Sequence, residues 1–190
     1  MQHDPRIARA TRNRGGKQLK RPRRYTRGVE DSPKSLPDPS KTRIVALDVG
    51  DRRVGVAITD ELGYTAQPLF TLHRTKLRAD IKSLGRLLRK HACTHVVVGN
   101  PLYMSGDLSP QATKAQEFAR ELAAETGVTI HLWDERLTTT QAHRHLDDAG
   151  RSADRRDRKE IIDQVAAVLI LQSFLQAQIQ RTKDAGKPQV

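Results

Sequence analysis

Arg43–Asp60 reads RIVALDVGDRRVGVAITD. Two apolar runs of strand length, Arg43–Val49 and Val54–Thr59, flank Gly50-Asp51-Arg52-Arg53, which carries turn chemistry. A connection that short joins antiparallel strands, so the stretch predicts a β-hairpin. A single acid interrupts the first run. Alternation along a strand puts Ala46, Asp48 and Gly50 on one face. An unpaired carboxylate there would cost several kcal/mol, so Asp48 needs a metal, a cation or donated backbone hydrogen bonds. The competing reading is an Asp that only caps the turn before Gly50.

Downstream, Ala66–Leu72 reads as a third strand, giving a meander. Leu77, Ile81, Leu84, Leu87 and Leu88 then recur at helical spacing. His95–Gly99 is a short apolar strand, buried on both faces if parallel. Ser109–Thr126 reads as a helix stopped by Gly127, and Val128–Trp133 as another strand. Thr138–Ala149 predicts a short helix, Arg151–Lys159 a charged loop, and Ile161–Ile179 a long final helix. The order predicts an α/β domain with a mixed five-stranded sheet, a three-strand meander plus two parallel strands, flanked by helices. In such sheets, sites form beyond the C-terminal ends of the parallel strands.

Upstream, the chain changes character. Of the net charge of +12 over 190 residues, residues 1–43 carry +9, and they hold only eight apolar side chains. Such a segment cannot bury enough surface to offset its ordering entropy. The expected organisation is a disordered basic tail and linker over 1–42, a compact domain over 43–180 and a flexible terminus over 181–190. No run approaches the ~20 apolar residues of a membrane span, and no apolar segment opens the chain as in a secretory signal. Pro22, Pro33, Pro37 and Pro39 break any long transit-type helix in the tail. Cys93 is the only cysteine, which excludes an internal disulfide framework and a Cys-rich zinc site. A cytoplasmic setting is the expectation.

Two further acidic positions stand out. Asp134-Glu135-Arg136 follows the last strand, so a parallel strand delivers these acids to the rim that holds Asp48. Alternation turns Asp134 and Glu135 to opposite sides, so one of them faces the site. Asp163 shares a helix face with Ala166, Ala167 and Ile170, and these small neighbours allow a close approach to the sheet. Each acid alone also reads as a solvated or dipole-favoured residue near a helix start. Taken together, carboxylates without thiolates or a His pair suit Mg²⁺ or Mn²⁺. Arg52, Arg53, Arg136 and the 151–159 loop, with Arg155 and Arg156, supply cations for a polyanionic substrate.

Four stretches in order, ALDVGDRRVGVAITD (Ala46–Asp60), VVVGNPLYMSG (Val96–Gly106), DERLTT (Asp134–Thr139) and IIDQVAAVLILQSFL (Ile161–Leu175), carry a resemblance. The sequence resembles the YqgF family, also called RuvX, of Holliday junction resolvases and pre-16S ribosomal RNA nucleases with a ribonuclease H-like fold. The match runs from about Arg43 to Gln180. It implies an acidic triad of Asp48, Glu135 and Asp163 that holds two Mg²⁺ or Mn²⁺ ions, with Asp134 as second choice to Glu135. It also implies that Arg53 and Arg136 touch substrate or its surroundings. Asn100 stands where the family more often has an aliphatic residue, and it joins Arg52, Arg155 and Arg156 as a candidate substrate contact.

The expected activity is metal-dependent hydrolysis of nucleic-acid phosphodiesters, with processing of the pre-16S rRNA 5′ end during ribosome biogenesis foremost. The expected partners are nucleic acid, pre-rRNA ahead of a DNA junction, and the ribosome; no membrane; and a monomer or weak homodimer. Three other readings compete. A DNA junction resolvase needs two active sites and hence a dimer. A non-catalytic basic RNA- or ribosome-binding protein needs only the charge of the tail. An ATP-binding fold of the actin and sugar-kinase type shares the strand–Asp–x–Gly–hairpin pattern, but it needs a second domain for which this chain is too short. With three Phe, three Tyr and one Trp, recognition of the backbone is favoured over base stacking.

Overall fold

The computed structural model describes Val29–Glu30, residues 42–137 and residues 155–185. Strands β1 (Val29–Glu30), β2 (Ile44–Val49), β3 (Arg53–Thr59), β4 (Ala66–His73), β5 (His95–Asn100) and β6 (Thr129–Asp134) form one sheet in the order β1-β6-β5-β2-β3-β4. β2, β3 and β4 pair antiparallel, and β2, β5 and β6 pair parallel. This is the expected mixed five-stranded sheet. A sixth, two-residue strand is added where β1 pairs parallel with β6. β1 lies within the 1–42 segment, where so polar a stretch gave no apolar pattern from which to read a strand.

Alternation assigns the two faces. Val45, Leu47, Val49, Val54, Val56, Val96 and Val98 point to helices α1 (Leu77–Lys90) and α2 (Pro110–Thr126), meeting Ile81, Leu84, Phe118 and Leu122. Ile44, Ala46, Ala57 and Val97 point to the long helix α3 (Arg155–Ala185), meeting Ala167, Ile170, Leu171 and Phe174. Each large apolar side chain fully buried here contributes about 1.5–3 kcal/mol. Ser109 caps α2 by accepting from the Ala112 amide at 2.9 Å, Pro110 occupies the first turn, and Gly127 ends the helix at φ +73°. By length and composition, 158–181 of α3 would also pass for a membrane-crossing stretch, but its apolar stripe lies on the sheet.

Two boundaries differ from expectation. Residues Arg155–Lys159, expected in a loop, form the first turns of α3. Arg and Lys are good helix formers, and a run of charge hid that propensity. At the other end α3 continues through Gln180 to Ala185, inside the segment expected to be a flexible terminus, and the sequence supplies its stop signals only at Gly186 and Pro188. The helix expected over Thr138–Ala149 lies outside the described residues.

Candidate functional site

Asp48 ends the inward row Ile44, Ala46, Asp48 on the α3 face of β2, one residue beyond the pairing of Leu47 with Val98 and directly opposite Gly55 of β3. It is partly buried. Burial, and then the charge of Asp163, push its carboxyl up to about 6. On β6 the row His131, Trp133 continues into Glu135, the first residue of a 3₁₀ turn, Glu135–Leu137. Burial, then Asp48, then Asp134 push Glu135 up to about 7. Both shifts come first from burial and then from a neighbouring acid, and Asp48 is the acid that couples to both of the others.

Two glycines make this packing possible. A Cβ on Gly99 would collide with Oε1 of Glu135 and stand 2.7 Å from Cδ1 of Ile170. A Cβ on Gly55 would overlap the backbone carbonyl of Asp163. The helix therefore touches the sheet backbone to backbone at the level of Asp48. The small face of α3 read from the sequence is present, with Ala167 fully buried and Ile170 only 3% exposed. The indole of Trp133 donates to Ser173 at 3.2 Å and ties β6 to α3 beside Glu135.

Asp134 takes a separate path. It accepts from the backbone amide, Nε and Nη2 of Arg136, the last at 2.6 Å, and Arg136 holds its carboxyl below the usual range. Arg136 also donates to the carbonyls of Tyr103 at 3.4 Å and Met104 at 3.2 Å, pinning the loop after β5. Asp134 and Glu135 thus diverge, as alternation requires.

The other candidates are placed as follows. Arg53 forms an ion pair with Asp163. Arg52 is exposed on the far side of the β2–β3 turn. Asn100 is buried at 8% exposure at the end of β5, its Oδ1 accepting from Gln116 of α2 at 3.1 Å, so it is not brought to the acids. Arg155 and Arg156 lie in the first turn of α3, where only the backbone is described.

Sequence reasoning missed the supports. Gln111 of α2 donates to the carbonyl of Val49, next to Asp48. Arg74 donates to the Gly50 carbonyl at 2.9 Å, and Lys114 pairs with Asp51 at 2.6 Å. Gln111 and Lys114 on α2, and Arg74 in the connection between β4 and α1, carried no sequence signal. Gly99 and Gly55 did carry one, as glycines inside strands that mark a close approach.

The three acids offer only hard oxygen donors, the chemistry that Mg²⁺ and Mn²⁺ take. Their crowding leaves negative charge that a cation would neutralise, so the donor set fits such an ion in kind. Among the described residues, however, no three His, Cys, Asp or Glu side chains already stand around one point, and Asp163 is turned to Arg53.

Residues 42–177 match the family model RuvX, described as Holliday junction resolvase. A Moorella thermoacetica protein named "Putative pre-16S rRNA nuclease" is 50% identical over 133 residues, 70% of this chain and 94% of that one. A Myxococcus xanthus protein of the same name is 48% identical over 135 residues, 71% of this chain and 88% of that one. Among solved structures, T. thermophilus RuvC in complex with a Holliday junction substrate is 15% identical and covers 73% of this chain and 96% of that one, at a TM-score of 0.46. By the family match over its compact domain and the identity of these relatives, the chain belongs to the RuvX family.

Proposed function

We propose that this protein is a metal-dependent endonuclease that hydrolyses RNA phosphodiesters and trims the 5′ end of pre-16S rRNA in the cytoplasm. The observation that carries the reading is the convergence of three carboxylates on the α3 face: Asp48 at the end of β2 opposite Gly55, Asp163 where α3 meets Gly55, and Glu135 against Gly99 just beyond β6. The names of the relatives support the rRNA substrate.

In this mechanism Asp48, Glu135 and Asp163 would hold the divalent ions through their carboxylate oxygens, with Asp48 as the central ligand. Bound there, Mg²⁺ or Mn²⁺ supplies the lowered water pKa and the Lewis acidity that in-line displacement at phosphorus needs. No side chain serves as nucleophile. Arg53 holds the Asp163 carboxylate and presents a guanidinium at the rim, where a non-bridging phosphate oxygen would lie. Arg136 fixes the loop after β5 and thereby the wall beside Glu135. Cys93 takes no part: it is 5% exposed and burial pushes its thiol up to about 11.

The family description favours a second reading, cleavage of DNA junctions. Incubation of equal amounts of the protein with a pre-16S rRNA fragment and with a four-way DNA junction, in Mg²⁺, separates the two. The proposal expects cleavage of the RNA, loss of it in Asp48→Asn, and no paired nicking of the junction. Paired nicks with intact RNA overturn the rRNA assignment, and native-rate RNA cleavage by Asp48→Asn overturns the site.

A further inference from the structure

The α1 helix carries a feature that the catalytic reading does not use. Its inner face is Ile81, Leu84, Gly85 and Leu88. On the outer face Arg78, Lys82, Arg86 and Arg89 are all exposed. At 100° per residue they lie within about 80° of one another, so they form a stripe rather than a scatter. The acid of this helix, Asp80, is buried at 3% exposure, accepts from the amide and hydroxyl of Thr75 and stands 3.9 Å from Arg74. Among the described residues the four cations of the stripe form no ion pair. The neighbouring α2 bears exposed Glu117, Glu121 and Glu125, and none of them reaches the stripe. Four long cationic side chains left unpaired beside an available acidic row are not there to brace the fold.

The stripe also has a direction. At the head of α1 an open cavity of about 550 Å³ carries both signs of charge: Arg52, Arg74 and Lys114 line it together with Asp51 and Glu117, and Lys114 is paired with Asp51. Arg52 and Arg53 are neighbours in the β2–β3 turn: Arg53 reaches Asp163 on the α3 face, and Arg52 faces the cavity on the other side. A polyanion leaving the acids over this turn meets Arg52 first and the stripe beyond it, with the mixed-charge cavity between them. Arg78 to Arg89 spans about 16 Å along the helix axis, long enough to meet several phosphates of one backbone.

We infer that α1 is a second nucleic-acid contact, a track that holds the phosphate backbone of a duplex segment flanking the bond to be cut. The inference rests on the nuclease reading for the identity of the polyanion. On an A-form duplex, whose deep and narrow major groove hides the base edges, such a row of cations meets the backbone and sets register, not sequence.

The test uses the full chain carrying Asp48→Asn, so that RNA survives, in EDTA. Binding of a fluorescent RNA with a 12-base-pair stem beside a single-stranded segment is followed against salt by anisotropy. Adding Arg78→Gln, Lys82→Gln and Arg86→Gln should lower the slope of log K against log salt by about 2.7, at ~0.9 per phosphate contact. Arg181→Gln with Lys183→Gln, exposed on α3 far from the track, should leave the slope unchanged. In the cleaving protein the same triple change should raise KM for the stem-containing RNA and leave kcat intact, with no effect on a short single strand. An unchanged slope in the triple variant, or an equal loss in the α3 control, overturns the track alone. A parent protein that binds no RNA at any salt overturns both the track and the nuclease reading.

Discussion

Asp48→Asn should stabilise the metal-free protein at neutral pH while it abolishes cleavage. The carboxyl rises from an ordinary 3.8 to about 6 through burial and the charge of Asp163. Because the folded pKa lies above the unfolded one, ionised Asp48 opposes folding. The penalty is absent below pH 3.8 and complete above pH 6. A shift of that size corresponds to about 3 kcal/mol at full ionisation. Asparagine keeps the shape and loses the charge, but its amide must also find partners, so a net gain of about 1–3 kcal/mol is expected at pH 8. At roughly 3 °C per kcal/mol for a domain of this size, Tm rises by about 3–9 °C. Urea unfolding in EDTA at pH 4, 6 and 8 measures it, and the two proteins should converge at pH 4. Millimolar Mg²⁺ should then stabilise the parent at pH 8 and not the variant, a readout independent of activity. A variant less stable than its parent at pH 8, or a gain equal at all three pH values, refutes the claim that Asp48 is an uncompensated acid.

Three further outcomes follow from the same geometry. Gly99→Ala places a methyl group against the flexible end of Glu135, so cleavage should fall at least about tenfold while stability drops by less than about 2 kcal/mol, read by kinetics and urea midpoints in parallel. Gly55→Ala meets the Asp163 backbone, which cannot swing aside, and should cost more than about 3 kcal/mol or prevent folding; a variant within 1 kcal/mol of the parent would show that the contact is loose. His131, 1% exposed with Nδ1 lacking a partner, is lowered to about 4 by burial and then by His95. Its stabilising share is present above pH 6.5 and lost as the pH falls towards 4, so His131→Phe should flatten the acid side of the pH–stability curve over that interval.

The sheet was legible because each strand announced itself by period and by turn chemistry: Arg43–Asp60 needed one hairpin, and the change from strand to helical spacing after His73 needed crossovers. The choice between Asp134 and Glu135 was only half legible. Alternation required them to diverge, but which one faced inward depended on whether the strand ended at Asp134, and the 3₁₀ turn that carries Glu135 had no sequence signature. Asn100 stood out only as a departure from the aliphatic residue more usual in the family; its bond to Gln116 depends on how α2 packs and had no sequence signature. The start of α3 was hidden because Arg155–Lys159 carries charge, which periodicity scores as loop although it propagates a helix well.

The contact between Gly55 and Asp163 has a consequence for how this centre can vary. Where a helix rests on a sheet through side chains, trimming or enlarging them resets the gap by fractions of an ångström. Here the spacer is main chain against main chain, which admits no smaller version and, short of losing the glycine, no larger one. The distance from the third acid to the strand paired with that of the first is in effect a fixed gauge. Tuning of this nuclease towards a new ion or substrate must therefore come from its loops and arginines.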